Sequence, residues 1–332
     1  MVFLPRAPAL SGALFRKYTE RCSALSIAAS PPAGDARPRL RWEVGGMVVV
    51  VLGTGLLGAG MARSLLRAGL DVVVWNRSPE RARALASDGA TVVEDAGEAV
   101  TGADVVITVL FDLSATAEVM VDALPRLRDD AVWVQCGTVG VEGAERLAEL
   151  AATKGVGFVD APVLGTREPA ERGTLTVLAA GSPDARDAVA PVFEAIGSRT
   201  VWVGDHPGDG QRLKLVANSW VLSITAAAAQ AVALARGLGL DPAAFLDAIR
   251  GGAVDSAYAH VKGKAMIDGV FEPPSFGLDG ALKDAGLIAD ALASAGVDDR
   301  LMRLLREYYA AAAGDEDEDM AAVVRAFDAR TP

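Results

Sequence analysis

Three short stretches hold residue types that could do chemistry together. In "GDGQRLKLVANSW" (Gly208 to Trp220), Lys214 and Asn218 stand four apart in an otherwise apolar run. A charged lysine can give a proton and a neutral one can take it, while an asparagine amide can orient a neighbour. Residues four apart lie one above the other on a helix face, so both side chains can reach one small molecule. The same spacing also fits a solvated surface pair. In "VLGTGLLGAGMA", Gly53, Gly55 and Gly58 form Gly-x-Gly-x-x-Gly, the spacing of a turn that brings backbone N–H groups against a pyrophosphate. In "DVVVWNRS", Asn76, Arg77 and Ser78 follow an apolar run. Neutral Asn76 stands where an acid would bind a ribose 2′-hydroxyl. Arg77 can fork onto a 2′-phosphate and Ser78 can donate to it. That combination predicts NADP(H) rather than NAD(H) as cofactor.

These residues need strands and helices to hold them. From Met47 the chain alternates the two signals. "MVVVVLG", "DVVVWNR", "ADVVITVLF", "AVWVQCG", "GVGFVDAPV", "GTLTVLAAG" and "TVWVGD" read as strands, separated by helical stretches such as "AGMARSLLRAG". The pattern predicts an α/β domain with a doubly wound parallel sheet. The glycine motif follows the first strand and opens a helix, the context that gives it meaning. Thr54, Leu56 and Leu57 in that turn, and Leu110 at the end of a strand, count as further cofactor contacts. "SPERARALASDGA" predicts a helix capped by Ser78 with Pro79 at its first position. From Gly208 onward only helices are expected, led by a long buried one from Gln211 to Leu238 and closing with "EDMAAVVRAFDA". "GDEDED" reads as a solvated turn and helix start. The division expected is a leader over 1–46, a Rossmann domain over 47–207 and an all-helical domain over 208–330.

Composition narrows the function classes. The 332 residues carry a net charge of −11, which repels a phosphate backbone and disfavours nucleic acid as a partner. No apolar run reads as long enough to span a bilayer, so no membrane is expected. Two cysteines, Cys22 and Cys136, and two histidines, His206 and His260, offer neither zinc spacing nor a disulfide framework. A cytoplasmic, reduced setting and no metal are therefore expected. The histidines read as surface or loop residues. The first 46 residues have six arginines and no sustained period. They read as a transit-like leader or as sequence ahead of a true start at Met47.

Five segments in order resemble the β-hydroxyacid dehydrogenases, the 3-hydroxyisobutyrate dehydrogenase-related family. They are "VVLGTGLLGAGMARSLLRAG", "WNRS", "FVDAPVLGTREPAERGTLTVLAAG", "GDGQRLKLVANSW" and "FGLDGALKDAGLIADA", and the likeness runs from about Met47 to Phe327. "WNRS" and "REPAERG" look most like the NADP-dependent glyoxylate and succinic semialdehyde reductase branch. The resemblance implies a Rossmann domain and an all-helical domain like that of 6-phosphogluconate dehydrogenases, with a cleft between. It implies hydride transfer between nicotinamide and a small aldehyde, 2-oxo acid or hydroxy acid. It places Lys214 on the catalytic lysine and Asn218 on its partner, Thr138 on the nicotinamide side and Lys283 on a cofactor contact. Gly165 and Thr166 fall on the substrate loop. A homodimer, with tetramers open, is implied as well. In the reducing direction Lys214 would hydrogen-bond the carbonyl oxygen and protonate the forming alkoxide.

Two positions depart from the family. Its substrate loop reads Pro-Val-Ser-Gly-Gly or Pro-Val-Ser-Gly-Ser, against Pro162-Val163-Leu164-Gly165-Thr166 here, and the usual serine before Thr138 is Gly137. Two hydroxyls that could face a substrate carboxylate are missing. Thr166, Arg167 or backbone N–H groups could replace them. The imine reductases share the architecture and take apolar substrates, an alternative that Lys214 opposes. A cofactor-binding interaction module without turnover is the non-enzyme alternative, which the same lysine also opposes.

Overall fold

The structure is a computed structural model describing residues 46–314 and 317–328. The expected leader, Gly46 apart, lies outside the described residues. The first strand, β1 (Val48–Leu52), is buried at all five positions. Alternation sends Val48, Val50 and Leu52 to one core and Val49 and Val51 to the other. A run of branched apolar residues is what a strand covered on both faces requires.

The chain continues through α1 (Leu56–Arg67), β2 (Asp71–Trp75), α2 (Pro79–Arg83), β3 (Thr91–Val92), α3 (Ala96–Ala99), β4 (Val105–Thr108), α4 (Leu113–Ala123), β5 (Val132–Gln135), α5 (Val141–Lys154) and β6 (Gly157–Asp160). Then come β7 (Val163–Leu164), α6 (Arg167–Arg172), β8 (Leu175–Ala180), α7 (Pro183–Ile196) and β9 (Gly197–Gly204). The sheet order is β3-β2-β1-β4-β5-β6-β8-β7, with β9 beside β8. Every pairing from β3 to β6 is parallel, while β8 runs antiparallel to β6 and β7. The sheet is thus mostly rather than wholly parallel. The run "GVGFVDAPV" splits at Pro162, which has no N–H to continue a ladder. The helix expected over 78–90 stops at Arg83, and a 3₁₀ turn covers Ala86–Asp88. Pro79 does begin it, but the Ser78 side chain caps nothing. Strand order reverses between β1 and β4, and in such sheets the reversal opens a crevice at the strands' carboxyl ends.

The second half is helical: α8 (Asp209–Gly237), α9 (Pro242–Ile249), α10 (Ala257–Asp268), α11 (Leu278–Ser294) and α12 (Arg300–Ala311). Leu215, Asn218, Leu222, Thr225, Ala229 and Val232 form a buried stripe along α8, at the three- and four-residue spacing of one helix face. Fully buried Leu222 packs in the helical core, where Tyr309 Oη donates to its carbonyl at 2.9 Å. Removing such a leucine side chain costs ~2–5 kcal/mol.

Four expectations need correction here. By length and composition α8 could cross a membrane, whereas no such segment was expected. It instead packs against α9 to α12 and against β8 and β9, and serves as the spine of the helical half. "EDMAAVVRAFDA" forms a 3₁₀ helix at Met320–Ala326 rather than an α-helix. In "GDEDED" the last two acids are buried: Lys262 Nζ lies 2.7 Å from Asp319 Oδ1, and Asp319 also accepts from Ala321 N. The buried lysine compensates that charge, which composition alone could not show. His206 is exposed, but His260 lies on α10 and meets Asp255 at 2.6 Å.

Candidate active site

A cleft of about 1260 Å³ opens where β1, β2, β4 and β5 end. Its wall includes Gly53, Thr54, Gly55, Leu56 and Leu57 after β1, and Asn76, Arg77 and Ser78 after β2. Leu110 after β4 and Thr138 after β5 complete the predicted cofactor residues on that wall. Gly53 has φ +104, and a Cβ there would stand 2.4 Å from the Val109 carbonyl oxygen. Gly58 lies off the wall. Its added Cβ would fall 1.9 Å from the Gly53 carbonyl oxygen, so it lets α1 begin directly beneath its own turn rather than merely against the sheet. A Cβ on Gly55 would meet nothing within 4 Å.

A dinucleotide fits this end. The open side of Gly55 is space for a pyrophosphate, and α1 starts with no side-chain cap and no acid in its first turn. Its free N–H groups and positive dipole end therefore suit an anion. Thr54 Oγ1 is buried without a hydrogen-bond partner among the described residues. Asn76 ties the region together, with Oδ1 accepting from Thr54 N at 2.9 Å and Nδ2 donating to the Ser78 carbonyl at 3.1 Å. An amide can do both, and an acid could not donate. The side chains of Arg77 and Arg81 line the cleft with no ion pair or hydrogen bond among the described residues. Arg81 went unread in the sequence, although it follows Arg77 by four positions.

Lys214 reaches the same cleft from α8, and its Nζ donates to the Val163 carbonyl at 2.7 Å. Burial pulls its pKa from the ordinary lysine value down to about 8. Asp284 opposes that shift and Lys283 adds to it. Asn218 sits one turn along but is 2% exposed and off the wall, its Nδ2 donating to Asp284 Oδ2 at 2.6 Å. Lys283 is also off the wall. It donates to the Thr138 carbonyl at 2.6 Å and lies 2.9 Å from Asp284 Oδ1. Asp284 thus links both predicted residues, and only its place beside Lys283 in "LKDAG" hinted at this.

Of the substrate loop, Gly165 and Arg167 line the cleft while Thr166 and Leu164 do not. Leu164 pairs with Thr176 in the sheet. Gly137 is locked as glycine, because a Cβ would stand 2.7 Å from the Leu110 carbonyl oxygen. Cys136 is fully buried, which pushes its thiol up and removes it as a nucleophile. Among the described residues no cluster of His, Cys, Asp and Glu could hold a metal.

The junction between the halves rests on two residues the sequence reading missed. Gln211, in the first turn of α8, donates to Asp160 Oδ1 at 3.0 Å and the Gly137 carbonyl at 3.1 Å. Its Oε1 accepts from Val139 N and Gly140 N. Asp160 also accepts from the backbone of Gly208 and Gln211. Burial raises the Asp160 carboxyl to about 6 despite those bonds. An acid inside the apolar "FVDAPV" was the available signal.

Comparison with known proteins agrees with this geometry. The profile of the NAD binding domain of 6-phosphogluconate dehydrogenase matches residues 48–204. That of the NAD-binding domain of NADP-dependent 3-hydroxyisobutyrate dehydrogenase matches residues 208–327. Glyoxylate/succinic semialdehyde reductase 2 of Arabidopsis thaliana is 30% identical over 88% of this chain and 82% of its own. The crystal structure of 3-hydroxyisobutyrate dehydrogenase from Salmonella typhimurium superposes with a TM-score of 0.79 at 27% identity, covering 84% of this chain and 99% of that one. Psf3 in complex with NADP+ and 2-OPP gives 0.75 at 25% identity, over 83% and 99%. The chain belongs to the 3-hydroxyisobutyrate dehydrogenase-like family and is an NAD(P)-binding oxidoreductase of the β-hydroxyacid dehydrogenase type.

Proposed function

We propose that the protein is a cytoplasmic, NADP(H)-dependent reductase of small aldehydes or 2-oxo acids, with Lys214 as the proton donor. The observation that carries this reading is the single lysine on the described cleft wall, desolvated to a pKa of about 8 beside a dinucleotide-shaped groove. Near neutral pH it is mostly charged yet gives up its proton readily, the condition for a general acid. A bound nicotinamide dinucleotide supplies the hydride. Lys214 Nζ would leave the Val163 carbonyl to donate to the substrate oxygen, lose its proton to the forming alkoxide and recover one from solvent. In the oxidising direction neutral Lys214 takes the proton back. Asn218 acts by holding Asp284, whose charge offsets part of the desolvation at Lys214.

Preference for NADP(H) rests on Arg77 just after β2 and Arg81 on α2, two cations whose side chains have no partner among the described residues. It is in keeping with the NADP+ bound by Psf3 and the NADP-dependent profile. A homodimer is part of the proposal. Val216 and Trp220 are exposed on the same long helix that carries Lys214, at 66% and 68%, and light scattering giving a monomer mass would remove that part. The cytoplasmic assignment rests on unpaired, buried Cys136, and tagged protein found in an oxidising compartment would end it.

The test of the function is NADPH oxidation by purified protein with glyoxylate, succinic semialdehyde, an uncharged aldehyde and a cyclic imine, with NADH as control. Turnover of the two acids with NADPH is expected. The imine reductase reading draws on the absence of a hydroxyl at Gly137 and Leu164, and turnover of the imine alone would establish it instead.

A further inference from the structure

We propose that Arg167 is the anchor for the substrate's carboxylate, replacing the two hydroxyls this chain lacks. The inference rests on the reading of the cleft as the site of a reductase of small oxo acids.

The structure removes the other side-chain candidates. A serine cannot stand at 137 in this backbone, because its Cβ would press to 2.7 Å from the Leu110 carbonyl oxygen and 3.2 Å from Gln135 Nε2. Leu164 is apolar, and like Thr166 it does not reach the cleft wall. Gly165 does, with φ +128, and an added Cβ would stand 2.6 Å from the Leu175 side chain. That position offers backbone alone. Arg167 is then the only side chain of the segment from Pro162 to Arg167 on the wall.

Its charge is also uncommitted. Of the other cleft cations, Arg63 is held by Asp88 and Glu171, and Arg126 by Asp95. Lys214 is bound to the Val163 carbonyl, four residues before Arg167 along the chain. Arg77 and Arg81 are unpaired but stand after β2, on another part of the wall. The remaining charges of α6 are satisfied, Glu168 by Arg172 and Glu171 by Arg63. Arg167 is exposed and makes no hydrogen bond or ion pair among the described residues. A guanidinium in that state matches a carboxylate two-pronged. Lys214, which would meet the carbonyl oxygen, and Arg167 line the same cleft, so the site suits a molecule that carries both a carbonyl and a carboxylate.

The test compares wild type, Arg167→Ala and Arg167→Lys in NADPH-dependent reduction of succinic semialdehyde and of butanal, a chain of equal length without the acid. The selectivity ratio, kcat/KM for the acid over kcat/KM for the aldehyde, should fall about 10–100-fold in Arg167→Ala, as loss of a charge-assisted bond predicts. Arg167→Lys should recover part of it, keeping charge but not the fork. Because Arg167 is exposed and unpaired, melting temperatures should barely change. An unchanged ratio in Arg167→Ala overturns the proposal. So does a rise in the KM for NADPH with the ratio preserved, which would put the guanidinium on the dinucleotide. If wild type reduces butanal but no oxo acid, the oxo-acid part of the underlying reading fails, and this inference with it.

Discussion

The two ends of the cleft are built by different means. The dinucleotide end is mainly backbone: a turn shaped by Gly53 and Gly58, an uncapped helix start, and one amide, Asn76, holding the pieces together. The proposed substrate end is side chains set by distant elements: Lys214 from α8, whose charge Asp284 from α11 supports, and Arg167 at the start of α6. A site made of backbone needs specific residues at fixed short spacings. A site made of side chains needs only that the fold bring them together, so it can change partners while the reaction class is kept.

The largest expected effect lies at the backbone end. Gly58→Ala puts a methyl 1.9 Å from the Gly53 carbonyl oxygen, and neither atom is a flexible side-chain end. The turn must shift, and NADPH binding measured by fluorescence titration should be lost, with stability reduced by ~1–3 kcal/mol. Retention of tight binding would mean the turn is plastic and the contrast between the ends is false. Next in size, Arg77→Ala should weaken NADPH about 10–100-fold while NADH changes little, if the guanidinium meets the 2′-phosphate. Equal effects on both would assign it to something shared by the two. A smaller effect sharpens the substrate end. With Lys214 as the proposed acid, active when charged, kcat for reduction should fall as pH rises through about 8, while oxidation rises over the same interval. Asn218→Leu, which frees Asp284, should move that midpoint measurably in both directions alike. An unmoved midpoint would mean Asn218 acts elsewhere.

What could be read from sequence divides along the same line. The turn after β1, the residues after β2 and the alternation of strands and helices were legible because each is fixed by neighbours within a dozen residues. The place of Lys214 at the cleft agrees with its reading from residue type and resemblance. The direction of Asn218 was not, since its partner Asp284 lies 66 residues away. Gln211 and Asp160 went unnoticed for the same reason, joined across 51 residues. Local pattern also misjudged Asp319, which looked solvated in an acidic run but is buried against Lys262 from another helix. That Gly137 excludes a side chain depends on the Leu110 carbonyl, on a neighbouring strand's end. The departure from the family was visible in the letters, and its physical reason only in the fold.

The central claim is that Lys214 is the proton donor of a hydride transfer, and one comparison tests it most directly: single-turnover reduction of succinic semialdehyde by NADPH-loaded wild type and Lys214→Ala, with NADPH affinity measured on both. The account predicts that the chemical step slows by roughly 10²–10⁴, the usual worth of a positioned acid, while NADPH affinity stays within about twofold. A rate close to wild type, or a loss of NADPH affinity that accounts for the whole defect, would contradict it.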